Sequence, residues 1–312
     1  MAVTTLIFSR DRAMQLDALL RSLRRHCADL ADSHIAVIYH ASHTGHARQY
    51  RQLAAEHAGL PGLRFVPERR FQRDVLAQLT RSPLAAGAGR LPKALAVARR
   101  LPRAYGLAWL RRRVGGYVLF LVDDCLCVRD FCLADMTQRL GAQSAALGFS
   151  LRLGTNTTTA YTKNRPQQLP AFERLAPGVL GFRWVGADAD FGFPLEISSS
   201  VYRRADVLPT LTVLPYHNPN LLEDRLNLTA RLFTGASPRL LCFEQSAAFC
   251  APVNVVQQQS GERSRSSQRY SSDVLARKFD DGWRIDAAQL SGFVPSACHQ
   301  DVAFEFVRAG TR

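Results

Sequence analysis

Two charged stretches each follow directly on an apolar run, and both consist of residues that could do chemistry. Tyr117 to Val122 carries no polar group except the Tyr hydroxyl and runs straight into Asp123-Asp124. A short apolar run of that kind reads as a strand buried on both faces. An acid pair at its carboxyl end lies at the lip of a sheet, where parallel sheets bind their ligands. One carboxylate there can hold a hard divalent cation whose remaining ligands are phosphate oxygens; the alternative is an Asp that caps the next turn. Val3 to Phe8 likewise ends in Ser9-Arg-Asp-Arg12. A polar loop opening a helix suits an anion, and Arg suits a phosphate or a nucleobase edge. Asp11 has a rival role as a cap of that helix, with Gln15 nearby.

These residues need a scaffold, and the pattern predicts one. Val3 to Phe8 is a strand, and Met14, Leu16, Leu19, Leu20 and Leu23 recur at helical spacing up to His26. Ile35 to Tyr39 is a second strand, Gly45 to His57 a helix, Leu63 to Val66 a third strand and Phe71 to Leu79 a third helix. This alternation predicts an α/β fold: a mostly parallel central sheet flanked by helices, in one large domain with a basic helical insertion. After Tyr117 to Val122 come a helix (Phe131 to Leu140) and a strand (Ala146 to Leu151). Residues 152–194, rich in Thr, Gly and Pro, read as ordered loops. Ile197 to Tyr202 reads as a strand, Asn218-Pro-Asn220 as a turn before a helix from Leu221 to Phe233, and Leu240 to Ala251 as mostly strand. Gln257 to Ser272 is a Gln/Ser/Arg-rich loop.

Composition narrows the classes. With 312 residues and 47% hydrophobic content, the chain is neither disordered nor a small disulfide module. The formal charge of +14 points at first to nucleic acid, but only Lys93, Lys163 and Lys278 of the 40 basic residues are Lys. Nine basic residues and no acid lie between Val75 and Val122, so most of the excess belongs to one insertion, about 81–116, rather than to a basic face with interleaved aromatics. Nucleic acid is therefore an unfavoured partner. Short basic, partly apolar helices suit an anionic membrane surface, so peripheral membrane binding through 81–116 is an expectation alongside a merely solvated insertion. The seven Cys include no C-x-x-C pair, and Cys125, Cys127 and Cys132 lack zinc spacing, so they read as buried thiols in a reducing compartment. The Val3–Phe8 run is too short for a secretory signal, and a cytoplasmic location is expected.

The order strand, Ser9-Arg-Asp-Arg12, amphipathic helix, then Phe71-x-x-Asp74, then Leu119-Phe-Leu-Val-Asp-Asp124 resembles GT-A-fold glycosyltransferases, in particular bacterial family-2-like enzymes. The resemblance implies a nucleotide-sugar donor, most simply a UDP or GDP sugar, and a glycan or lipid-linked acceptor. It implies that Ser9, Arg10, Asp11, Arg12, Ser42, Asp74 and Asp123 lie along the nucleotide. It also implies that Asp124, with Asp123, holds Mn2+ or Mg2+ on the diphosphate, and that His299 in the C-terminal region joins that metal shell. Cys125 stands where a spaced second acid would complete an Asp-x-Asp motif. In such enzymes an acid beneath the acceptor takes a proton from its hydroxyl; Glu223, Asp224 and, in reserve, Asp190 are the matching residues. Glu223 also stands three residues after Asn220, the spacing of a capping box. The implied division is 1–151 for the nucleotide sugar, 152–256 for the acceptor and catalysis, and 257–312 as a loop and tail packing on the site.

Two rival functions share some of these features. A sugar-phosphate nucleotidyltransferase would share the sheet and the metal-binding acids, but it would be expected to carry a Gly-rich loop after the first strand, and Ser9-Arg-Asp-Arg12 contains no Gly. A non-enzymatic nucleic-acid binder would rest on the charge alone.

Overall fold

The computed structural model describes residues 3–80, 115–252 and 270–310. Most of the basic insertion and of the Gln/Ser/Arg-rich stretch therefore lies outside the described residues. Alternating elements open the chain: β1 (Val3–Arg10), α1 (Ala13–His26), β2 (His34–His40), α2 (Thr44–Glu56), β3 (Leu63–Pro67), α3 (Phe71–Thr80) and β4 (Tyr117–Val122). There follow β5 (Cys125–Cys127), α4 (Leu133–Ala142), β6 (Ala146–Ser150), β7 (Thr159–Ala160), β8 (Arg165–Pro166), β9 (Phe172–Ala176) and β10 (Val179–Arg183). The chain continues through β11 (Ser200–Arg203), α5 (Arg204–Val213), α6 (Pro219–Ala230), β12 (Arg239–Phe243), β13 (Ala248–Cys250), α7 (Ser272–Asp280), β14 (Trp283–Ile285) and β15 (Phe306–Arg308).

A nine-stranded sheet runs β3-β2-β1-β4-β11-β6-β12-β10-β9. β3, β2, β1 and β4 are mutually parallel, β11 is antiparallel to both its neighbours, and β6 and β12 are parallel to each other. Both faces are covered, which explains the unbroken apolar runs of the first half. On β4, Tyr117, Leu119 and Leu121 enter one core with α1 and α4, while Val118 and Phe120 enter the other with α3, α5 and α6. The chain order reverses between β1 and β4, so the carboxyl ends of these two strands flank the switch-point crevice.

The second half is more ordered than its composition predicts. Residues 152–194 contain the β9–β10 hairpin, which extends the sheet from β12, with Gly178 supplying the left-handed turn (φ 70°). The strand expected from Ile197 begins only at Ser200, because the Glu196 carboxylate accepts the Ser198 and Ser199 amides that a strand would spend on its neighbour. The Leu240–Ala251 segment breaks into β12 and β13.

The C-terminal residues 270–310 dock on the N-terminal half through compensated buried charge. Arg284, fully buried, stacks 3.7 Å over the Phe279 ring, bonds Glu56 (Nε to Oε2, 3.2 Å) and lies 3.8 Å from Asp17. Asp17 also accepts from Arg21 (2.7 Å) and is bonded to His57 (2.8 Å). Removing one partner of such a set would strand a buried charge.

Candidate active site

The site is assembled where β1 and β4 end. The Asp123 amide donates to the Phe8 carbonyl (3.1 Å), which ties the acid pair to the end of β1. Arg12 Nη1 then lies 3.3 Å from Asp123 Oδ1 and 3.4 Å from Asp124 Oδ2. Asp123 Oδ2 accepts the Arg10 amide (3.2 Å). Two acids 111 and 112 residues from Arg12 thus converge on one guanidinium nitrogen. Tyr50 on α2 orders the loop from the side: its hydroxyl is 2.7 Å from Ser9 Oγ and accepts the Arg12 amide (3.1 Å). Nothing in the sequence flagged Tyr50 beyond its place on a buried helical face.

Burial decides the charges here. It disfavours the charge of Arg12, but Asp123 and Asp124 outweigh it and hold the guanidinium above its ordinary range. Burial raises Asp123, against Arg12, Ser9 and the Arg10 amide. It raises Asp124 to about 6, with Arg12 opposing and Asp123 adding to the rise. Among the described residues, Arg12 Nε and Gln15 Nε2 are buried donors without a hydrogen-bond partner beside the pair. Gln15, Asp123, Asp124, Ala251, Ile285 and Phe304 line a small cavity, so the tail reaches the acid pair.

The other nucleotide-side candidates are spread along the same edge. Asp11 adopts a left-handed conformation (φ 55°), a strained geometry that Asp tolerates better than most residues. Its carboxylate accepts the Ser42 amide (2.7 Å) and lies 4.0 Å from His46 instead of capping α1, whose N-cap residue, Arg12, makes no side-chain capping bond. Ser42 is thereby fixed to the β1 loop. Arg10 is half exposed, 3.9 Å from Asp11. Asp74 reaches back to the amides of Arg69 (2.7 Å) and Arg70 (2.8 Å), closing the start of α3.

The acceptor-side candidates gather at the end of β6. Glu223 Oε1 accepts the Ile197 amide (3.0 Å). The cap of α6 is Asn218, which accepts from Leu221 (2.8 Å) with Pro219 opening the helix. The Asn220–Glu223 capping box therefore does not form, and Glu223 is free of that duty. Burial pushes Glu223 up to about 7, with Arg152 opposing and Glu196 adding. Burial also raises Asp190, whose Oδ2 is buried without a partner, against the pull of Arg152. Asp224 is exposed on α6. Arg152 and Glu196, both buried and 3.4 Å apart, were not singled out by sequence reasoning.

His299 lies beside Cys250 of β13. The Cys125–Cys250 pair of β5 and β13 continues to His299 by a parallel bridge, two strand spacings or roughly 10 Å from Cys125. Burial and then Arg152 push its pKa down to about 3, so the imidazole is neutral at physiological pH.

Asp123 and Asp124, both turned to Arg12 Nη1, are hard oxygen donors of the kind that suit Mg2+ or Mn2+. Among the described residues no three His, Cys, Asp or Glu side chains group to hold a metal, so other ligands would come from substrate and water. Also among the described residues, no helix is long and apolar enough to cross a membrane.

No protein-family model matches the chain. The proteins it is similar to include glycosyltransferases. One stretch is 29% identical over 99 residues to the bifunctional glycosyltransferase pgtA of Dictyostelium discoideum, covering 29% of this chain and 13% of that protein. Among solved structures, S. aureus TarS 1-349 in complex with UDP is similar with a TM-score of 0.47 and 12% identity, over 81% of this chain and 61% of that one. The mannosyltransferase PcManGT from Pyrobaculum calidifontis, in complex with GDP-Man and Mn2+, gives 0.38 and 14%, over 76% and 53%. The chain spans 37% of the longer TarS structure.

Proposed function

We propose that the chain transfers a sugar from a nucleoside-diphosphate donor, a UDP or GDP sugar, to a hydroxyl of a glycan or lipid-linked acceptor. The observation that carries this reading is the convergence of Arg12, Asp123 and Asp124 at the switch-point crevice. The stretch similar to pgtA adds to it.

Bound Mg2+ or Mn2+, held by Asp124 and Asp123 with substrate and water as the other ligands, would neutralise charge on the departing diphosphate. Arg12, with its Nε unspent among the described residues, binds the diphosphate oxygens, and Ser9, Arg10, Asp11 and Ser42 border the nucleotide. On the acceptor side Glu223 takes the hydroxyl proton as the acceptor oxygen bonds the anomeric carbon and the bond to the diphosphate breaks. Its pKa of about 7 matches a base working near neutrality; Asp224 and then Asp190 are the alternatives. A cytoplasmic protein, peripheral at the inner membrane face through 81–116, would meet lipid-linked acceptors. Loss of binding to anionic vesicles on deleting residues 85–113 checks that part.

A thermal-shift panel of UDP, GDP, dTDP and CMP sugars with Mn2+ or Mg2+ tests the main reading. A UDP or GDP sugar should raise the melting temperature, since a ligand that binds only the folded state stabilises it. The same sugar should be slowly hydrolysed or transferred. No shift with any of the four classes overturns the proposal.

A further inference from the structure

The Arg152 cluster is absent from the sequence-based site, and its charge balance is unusual. Arg152 follows β6 and is 5% exposed. Glu196, before β11, lies 3.4 Å from its guanidinium, whose charge also acts on Asp190, Glu223 on α6, Cys250 on β13, and Cys298 and His299 in the tail. Cys298 is further tied in by its thiol, 3.7 Å from the Arg152 carbonyl. One buried cation therefore serves three carboxylates. Glu196 spends its oxygens on Ser198, Ser199 and Ser200, which builds the turn whose Ile197 amide holds Glu223. Among the described residues, Arg152 Nη1 and Asp190 Oδ2 are buried without a hydrogen-bond partner.

We propose that Arg152 is the positioning residue of the acceptor edge, holding Glu223 through Glu196 and the Ile197 turn and supplying the positive charge that keeps the base ionised. This rests on the reading of Glu223, with Asp190 in reserve, as the proton acceptor. Without the guanidinium, buried carboxylates recover charge neutrality by taking up protons, and a protonated acid cannot act as a base. The chain's other buried site arginine, Arg12, lies at the donor edge, so the two roles separate by assay.

The test is the pH profile of nucleoside-diphosphate release from UDP-glucose, UDP-N-acetylglucosamine and GDP-mannose, using the full chain with Mn2+ from pH 5 to 9. Arg152→Gln should move the acidic limb of kcat upward by about one pH unit, lowering kcat about fivefold at pH 7, with donor KM little changed. Arg152→Lys, which keeps a cation, should restore the limb. Glu196→Gln removes a negative charge and should move the limb downward. If Arg152→Gln does not fold, the Lys and Glu196→Gln profiles decide. A limb unmoved in both charge-changing variants, or an unmoved limb in Glu196→Gln where only that variant folds, overturns the proposal. Full activity in both Glu223→Gln and Asp190→Asn would instead remove the base reading on which it stands.

Discussion

The two edges solve the same electrostatic problem with different materials. At the end of β1 and β4, one buried Arg serves two acids, and each member follows directly on a strand of the parallel half. At the end of β6, one buried Arg serves three acids that come from two irregular turns and a helix. In both places burial pushes carboxylates upward while a single guanidinium resists. The donor edge is a pair that gains from a second cation. The acceptor edge keeps a surplus of negative charge, which leaves one of its acids ready to exchange a proton near pH 7. Regular strands hold the first; hydrogen bonds from turn amides to Glu196 and Glu223 hold the second.

The comparison breaks most severely at Asp124. Asp124→Ala should lower sugar transfer by at least about a thousandfold, because charge stabilisation of the leaving group is commonly the largest catalytic contribution. The protein should remain folded, since removing a carboxyl that burial raises to about 6 relieves a cost at neutral pH. Full activity in a folded Asp124→Ala protein would sink the metal assignment. Next in size, Glu223→Gln should reduce kcat about 100-fold or more while donor KM stays near its original value. In the unmutated chain, kcat should rise with pH through about 7 as Glu223 loses its proton. Stability runs the opposite way. A carboxyl raised above its unfolded value favours folding while protonated, and that contribution is lost as pH rises through about 7. Glu223→Gln should therefore melt a few degrees higher than the parent at pH 8 and close to it at pH 5, as followed by calorimetry.

Arg12→Ala sharpens the same contrast from the donor side. It should raise donor KM about 10- to 100-fold, the range for losing charged hydrogen bonds to phosphate. The pH dependence of kcat should stay near 7, because Arg12 faces Asp123 and Asp124 rather than Glu223. A shift of that limb in Arg12→Ala would show that the edges are one electrostatic unit.

The donor edge was legible because its signal is local. A buried strand ending in charge is visible in Val3–Arg12 and Tyr117–Asp124 without any knowledge of pairing. The acceptor edge was only half legible. Glu223 and Asp190 could be named as acids in the right half of the chain, but Arg152 is one Arg among many, and Glu196 lay at the edge of a segment whose strand was expected to start next to it. What places them is the insertion of antiparallel β11 between β4 and β6, a non-local pairing that periodicity does not encode. The β9–β10 hairpin was missed for a related reason. Phe172–Ala176 alternates weakly and gains its order by pairing along β10, which in turn pairs with β12.

Asp74 offers the smallest effect and the finest distinction. The sequence resemblance places it along the nucleotide, whereas its Oδ2 accepts two backbone amides at the start of α3. An acid that reaches back to the first free amides of a helix contributes about 1 kcal/mol, and Asp74→Ala should cost about that much stability in urea unfolding. α3 packs against β1 and β2 through Phe71 and Val75, so a loosened helix start is felt beside the donor edge without removing a charged partner from it. Donor KM should then change by less than about threefold, well below the loss expected from Arg12→Ala. A KM rise as large as that of Arg12→Ala, with unchanged stability, would assign Asp74 to the nucleotide and make the cap incidental.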